Sequence, residues 1–385
     1  MKRREFIVQS GSMVTAAMLF PANLLISATK NTSLRGTRRP DPEDFSQPIL
    51  KAIAIGMNAP NPHNSQAWKF KILSDTEALF YIDENRLLTA TDPPARQMHI
   101  GCGCFLETLR LGASTLGQIA QIERLPEGEY AYSQIGHVPV AHIMVVPGDV
   151  DVLPLSSAIY SRQTNRSFYT GDLITTIEFE AIIAKTIPAH TRIICENQTN
   201  SLKRLIDILY EGMVVETQTY ETYDESRIWF RSSQEKIETL RDGINLRTDG
   251  TSGIMLKIME FIVDESNPKS WHSDTAKNAF LKRYRQKMDS AEGVVLFQTD
   301  TNTTLDWLKT GEDYVRFQLA ADQLGFVIHP VSQVLQEYPE MDALRTKFAE
   351  LMGVSEPAKI QMGVRIGRGE KLYYSYRRNP GELLI

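Results

Sequence analysis

Cysteine is scarce: Cys102, Cys104 and Cys195 are the only three in a chain of 385 residues. A number that is small and odd excludes a disulfide framework, so stability has to come from packing. A basic surplus is missing as well. Lys and Arg number 42 against 47 Asp and Glu, a net charge of −5, which argues against the positive stripe of a nucleic-acid-binding domain. No G-x-G-x-x-G follows a strand-like run, and "GCGC" at 101–104 sits inside a helical pattern rather than in a phosphate loop. Cys102 and Cys104, with His99 upstream, point to different faces of that helix; they read as small packing residues, and no metal site is expected.

What is present is ordinary globular material, 42% apolar and 23% charged, enough for one large core or two smaller ones. The segment "MKRREFIVQSGSMVTAAMLFPANLLISA" has a basic start, an apolar stretch too weak for a membrane span and a small residue, Ala28, at a plausible cut. Arg3 and Arg4, followed by Glu5, Phe6 and Ile7, resemble the twin-arginine signal, whose machinery accepts folded proteins. Residues 1–28 are therefore expected to be an export signal, the mature protein periplasmic or otherwise exported with no stable membrane span, and the twin-arginine machinery a partner. Polar, proline-bearing residues 29–44 read as a linker, with the folded body starting at Phe45.

Helix and strand patterns then alternate, which implies an α+β fold. An apolar stripe over 95–117 (Met98, Cys102, Phe105, Leu106, Leu109, Ala113, Leu116) predicts a core-facing helix. A second helix is expected over 312–324. "LRLGASTLG" (109–117) and "FQLAADQLG" (317–325) coincide at Leu111/Leu319, Ala113/Ala321, Leu116/Leu324 and Gly117/Gly325. The repeat suggests two related halves, 45–150 and 151–385, in a monomer that mimics a dimer. Residues 211–290, rich in charge and aromatics, read as a helical insertion in the second half.

Four segments resemble the FMN-dependent nitroreductase family, and more closely its Acg-like branch of two fused halves. "APNPHNSQAW" (59–68) is similar to the family pattern A-P-S-x-x-N-x-Q-P-W, with Asn61 and Ala67 as departures. "SRQTNRSF" (161–168) resembles R-x-S/T-x-K/R-x-F; "LGFVIHPVSQ" (324–333) resembles L-G-x-x-x-x-P-x-E/S-G with Gln333 for glycine; "YSYRRNP" (374–380) resembles S-x-R-R-P. The resemblance implies a nitroreductase-like fold, an antiparallel-rich sheet flanked by helices in two pseudo-symmetric halves, with one FMN per chain. It implies that Asn64 and Gln66 contact the flavin, Arg162 and Thr164 its phosphate, and Arg166 the ribityl chain or the N1/O2 edge. Arg378, with Arg377 as substitute, completes the phosphate site. Pro330, Val331 and Ser332 pass flavin N5, where a backbone N–H could bond it. His63 and His329 line the pocket or serve the loops structurally, and Trp229 is placed in an insertion that could act as a lid. The implied activity is reduction of a small nitro- or quinone-like electron acceptor, with NAD(P)H a possible donor; the alternative is a flavin-sequestering protein with no NAD(P)H turnover.

Overall fold

The computed structural model describes residues 34–385, except for the side chains at 261 and 262. The export-signal reading of residues 1–28 lies outside the described residues. The first sheet is built from β1 (Trp68–Ile72), β2 (Glu77–Ile82), β3 (Gln118–Arg124) and β4 (Ala141–Pro147), in the order β1-β2-β4-β3. The second is built from β5 (Arg192–Glu196), β6 (Gly293–Thr299), β7 (Val327–Pro330) and β8 (Lys359–Gly367), in the order β5-β6-β8-β7. Every pairing is antiparallel. The two orders are the same permutation, and the class is α+β as the alternating patterns imply.

Helix α1 (Pro48–Gly56) begins with proline, whose fixed φ suits the first turn. Helix α2 (Arg96–Ser114) buries its apolar stripe on the first sheet, where Phe105 lies 5.2 Å from Phe70 and 5.1 Å from Phe80. Helix α3 (Thr176–Thr186) starts at a capping box of Thr175 and Glu178. The insertion follows β5 as α4 (Thr199–Gln218), α5 (Tyr220–Ile228), α6 (Gln234–Leu240), α7 (Gly253–Ile262), α8 (Pro268–Trp271) and α9 (Asp274–Asp289). These helices span Thr199–Asp289, a range that begins before the expected 211–290 stretch. Then come α10 (Thr304–Gln323) and α11 (Asp342–Met352).

Helices α2 and α10 cross at the centre of the molecule through two glycines. A Cβ on Gly103 would stand 1.9 Å from the carbonyl oxygen of Leu308, and one on Gly311 would stand 2.0 Å from that of Ile100. The contact is reciprocal: the same spacing separates Gly103 from Gly311, Ile100 from Leu308, and Gly117 from Gly325, both of which take positive φ (66° and 83°). Helix α10 begins at a capping box of Thr303 and Asp306, well before the expected start at 312. Gly311 lies inside the helix, where its conformational cost is offset by the close crossing it permits.

One apolar core joins Phe105 and Leu109 to Phe317 and Leu319; a second packs α4 and α9 against Val334, Leu335 and Phe348. Among the described residues no helix is long and apolar enough to cross a membrane. The linker expectation for 29–44 fails over its described part. Residues 34–39 close a turn (Arg39 N–H to Leu34 O, 2.8 Å), and Arg39, Pro40 and Pro42 are buried.

Candidate functional site

The loop after α1 cannot continue the helix, because Pro60 and Pro62 interrupt it. His63, Asn64 and Gln66 all take positive φ (50°, 54° and 51°). Three such residues within four positions store strain that surrounding bonds must hold. Gln66 supplies most of them: its N–H donates to Asn61 Oδ1 (2.8 Å), its Nε2 to the carbonyl oxygens of Arg241 (2.9 Å) and Asn64 (3.3 Å), and its Oε1 accepts from the N–H of Arg378 (2.8 Å). Gln66 is fully buried and acts as the clamp of the loop, away from the cleft beside it.

That cleft is open at its mouth and gathers residues from five stretches of chain. Asn64 comes from the first loop, Arg162, Thr164 and Arg166 from the segment before α3, Gly243, Ile244 and Thr248 from the insertion, and Tyr373, Ser375 and Arg377 from the segment after β8. Arg39 completes the wall. Thr164 is fixed by a bridge to Ile328 of β7, and its neighbour Asn165 donates from its backbone N–H to Ile328 O (2.9 Å).

Four guanidiniums therefore meet at one cleft, and among the described residues no carboxylate lines it. Arg162 donates to Asn58 O (3.1 Å) and to Gln318 Oε1 (3.0 Å). Arg377 donates to Met57 O (2.6 Å), Ala59 O (3.0 Å) and Asn64 Oδ1 (2.8 Å). Arg39 reaches Asn58 Oδ1 (3.2 Å). All these acceptors are neutral. Burial and the facing Arg162 bring the pKa of Arg39 down to about 9. Burial, with Arg39 and Arg162, holds that of Arg377 well below its usual value, and burial lowers those of Arg162 and Arg166. Uncompensated cations of this kind are stabilised by an anion, and guanidinium geometry suits a phosphate or carboxylate.

The structure does not bring every expected residue to this place. Arg378 turns away to pair with Glu382 (3.3 Å), one turn along, so Arg377 and not Arg378 stands in the cleft. Pro330, Val331 and Ser332 are not among its walls. The N–H of Val331 is committed to Gly363 O (2.8 Å), and Ser332 Oγ accepts from the N–H of Gly363 (3.1 Å), so β8 takes the Val331 N–H, one of the backbone donors in the stretch expected to pass N5. Trp229 packs in the core, with Arg86 and Arg231 over its ring at 5.2 and 5.7 Å, rather than lining the cleft. His63 lies beside it: burial and then Arg166 push its pKa down to about 4, and its Nε2 is 3.4 Å from Ser226 Oγ. His329 is buried, and its Nδ1 accepts from Arg365 Nε (3.1 Å).

No protein-family profile matches the chain. Among curated proteins, the Mycobacterium tuberculosis H37Rv protein Rv3131, whose name assigns it provisionally to the NAD(P)H nitroreductases, is 23% identical over 340 residues, 88% of this chain and 89% of its own length. This chain is therefore similar in sequence, over most of its length, to that protein. The provisionally named NAD(P)H nitroreductase acg of the same organism is 37% identical over 87 residues, which span about a quarter of that protein's length (26%). Among solved structures it is similar to an FMN-bound nitroreductase from Desulfitobacterium hafniense (12% identity, 59% of this chain and 96% of that one, TM-score 0.36). It is also similar to the FMN-dependent nitroreductase NfnB of Mycobacterium smegmatis in complex with NADPH (14% identity, 57% and 90%, TM-score 0.35).

Arg39 ends "RGTRR" (35–39), which repeats the R-x-T-x-R spacing of Arg162, Thr164 and Arg166, whereas the 243–248 stretch, a loop among charged helices, carries no such local signal. Only the chain fold brings them to the cleft.

Proposed function

We propose that this chain is an FMN-binding oxidoreductase of nitroreductase type that reduces nitro- or quinone-like small molecules, with NAD(P)H as electron donor. The observation that carries the reading is the convergence of Arg39, Arg162, Arg166 and Arg377 on one cleft that no carboxylate lines among the described residues. The residues fit the cofactor: the guanidiniums and the Thr164 hydroxyl suit a phosphate. Asn64, already bonded to Arg377 and to Tyr376 O (3.3 Å), keeps one amide hydrogen and one lone pair for a flavin edge. When bound, FMN would supply the two-electron chemistry. The chain's part is to bind and orient: Arg162 and Arg377 anchor the phosphate, Thr164 adds a neutral donor, and Arg166 places positive charge at the mouth.

The duplicated form of the nitroreductase-like halves belongs to the same reading. It is supported by the shared strand order of the two sheets and the reciprocal glycine contact of α2 and α10. One composite cleft implies one FMN per chain. The reading further has residues 1–28 export the loaded protein by the twin-arginine route.

The test is the absorption spectrum of purified protein before and after anaerobic NADPH, with chromatography of the released flavin. FMN near one per chain that bleaches with NADPH supports the oxidoreductase. FMN that bleaches with dithionite but not NADPH makes the protein a flavin store, and a colourless protein that takes up no added FMN overturns both.

A further inference from the structure

Residues 34–44 carry a buried cation that a connecting segment has no structural need for. Arg39 is 3% exposed, and among the described residues its Nε has no partner and the charged groups facing it are Arg162, Arg377 and Arg38, all of its own sign. Tyr160 and Tyr374 complete its surroundings. Desolvating like charges against one another is unfavourable unless an opposite charge joins them.

The segment touches two walls of the cleft, Arg377 and Tyr373, and two further residues, Arg241 and Tyr160. Arg377 N–H donates to Arg38 O (2.9 Å), and Arg241 Nη2 donates to Thr37 O (3.2 Å). The guanidiniums of Arg38 and Arg35 lie over Tyr373 and Tyr160, each at 4.2 Å from the ring centre. Arg35, Gly36 and Thr37 are exposed.

We infer that Arg39 is a further ligand of the phosphate-bearing molecule in the cleft, and that this molecule docks the 34–44 segment by supplying the negative charge that Arg39, Arg162 and Arg377 lack. The inference rests on the FMN reading of the cleft. Binding and docking are then reciprocal: whatever affinity the docked segment adds to FMN, FMN adds to docking. Loading of the cleft is reported at the stretch of chain that follows residues 1–33.

Trypsin reads the docking directly. The bonds after Arg35 and Arg38 are cleavable when the segment lifts, whereas the bond after Arg39 is protected by Pro40. The full chain is stripped of flavin, FMN binding is first established by quenching of flavin fluorescence, and cleavage at the two bonds is followed by mass spectrometry with FMN, riboflavin or inorganic phosphate. Saturating FMN should slow cleavage, by up to roughly 100-fold at a hundred times Kd if only the docked form binds. Riboflavin, which lacks the phosphate, should not. Arg39→Ala should weaken FMN binding about ten-fold or more and abolish the protection, while Arg39→Lys restores part of both; an unchanged thermal melt of the FMN-free variants shows that they fold. Protection by FMN that survives Arg39→Ala, or FMN binding by the wild type with no change in cleavage, overturns the inference and leaves the flavin reading standing. Failure of the wild type to bind FMN at all overturns the two together.

Discussion

Arg377 donates from Nη1 to the amide oxygen of Asn64 at 2.8 Å. The bond ties the segment after β8 to the strained loop after α1, and the other two nitrogens of Arg377 reach Met57 O and Ala59 O at the end of that helix. The loop and the cation thus hold each other in place. Arg378, by contrast, is spent on Glu382.

The first prediction follows. Arg377→Ala should lower FMN affinity by about ten- to a hundred-fold, the worth of one charge-assisted bond of roughly 1.5–3 kcal/mol, whereas Arg378→Ala should leave it within about three-fold. Fluorescence titration with FMN measures both, and a larger loss from Arg378→Ala would reverse the assignment.

A second prediction concerns the crossing of α2 and α10. Gly103→Ala places a methyl 1.9 Å from Leu308 O, and Gly311→Ala places one 2.0 Å from Ile100 O. Neither obstacle is the end of a flexible side chain, so the helices must separate and the core they share must open. Each substitution should destabilise the protein by more than about 3 kcal/mol, and the two by similar amounts because the contacts are reciprocal. Urea unfolding decides this; a cost below 1 kcal/mol or so for either would show that the helices can shift at little expense.

The same crossing shows what a sequence discloses. Apolar periodicity finds α2 and the later part of α10, because a core-facing helix repeats its large residues every three to four positions. It stops short at Gly311, whose reason lies on the other helix. Along the cleft, Asn64, Arg162, Thr164 and Arg166 are marked in the sequence because each sits in a short motif that resembles a family pattern. Whether a given donor is free is not legible. The N–H of Val331 is taken by Gly363 and the side chain of Gln66 by Arg241 and Arg378, partners far along the chain. Arg39 and Arg38 are adjacent in sequence, yet one is buried in the cleft and the other lies over Tyr373.

A third prediction is a pH dependence of stability. Burial pushes Glu216 up to about 7, with Gln336 Nε2 donating to its carboxyl at 2.7 Å. A carboxyl whose folded pKa is raised holds its proton more tightly folded than unfolded, so its contribution is complete below the unfolded value near 4.5 and is lost as pH rises through 7. Glu216→Gln, which cannot ionise, should match the wild type at pH 4 and exceed it by up to about 3 kcal/mol at pH 8. Chemical unfolding of both proteins across that range tests it; parallel curves would mean that Glu216 is charged in the folded protein.

The last prediction concerns the wall that the insertion gives to the cleft. Asp242 lies between Arg86 and Arg231, accepting from Arg231 Nε at 2.9 Å and pairing closely with Arg86. The next residue, Gly243, lies against the cleft and donates from its N–H to Asn64 O (3.3 Å). Asp242→Asn removes the only carboxylate ion-paired with either arginine among the described residues. With Arg86 partly exposed, the loss should be up to about 3 kcal/mol, and it should fall on residues 241–248 rather than on the core. Amide exchange there should accelerate by on the order of 100-fold, while exchange in β6 and α10 stays as in the wild type. If this stretch limits access to bound flavin, reduction by NADPH should speed up in the variant while bleaching by dithionite, a small reductant, changes little. Asp289→Asn, which breaks an exposed pair with Arg285 on α9, serves as control and should alter neither rate. Faster exchange at 241–248 with unchanged NADPH reduction would show that the stretch moves without guarding the cleft.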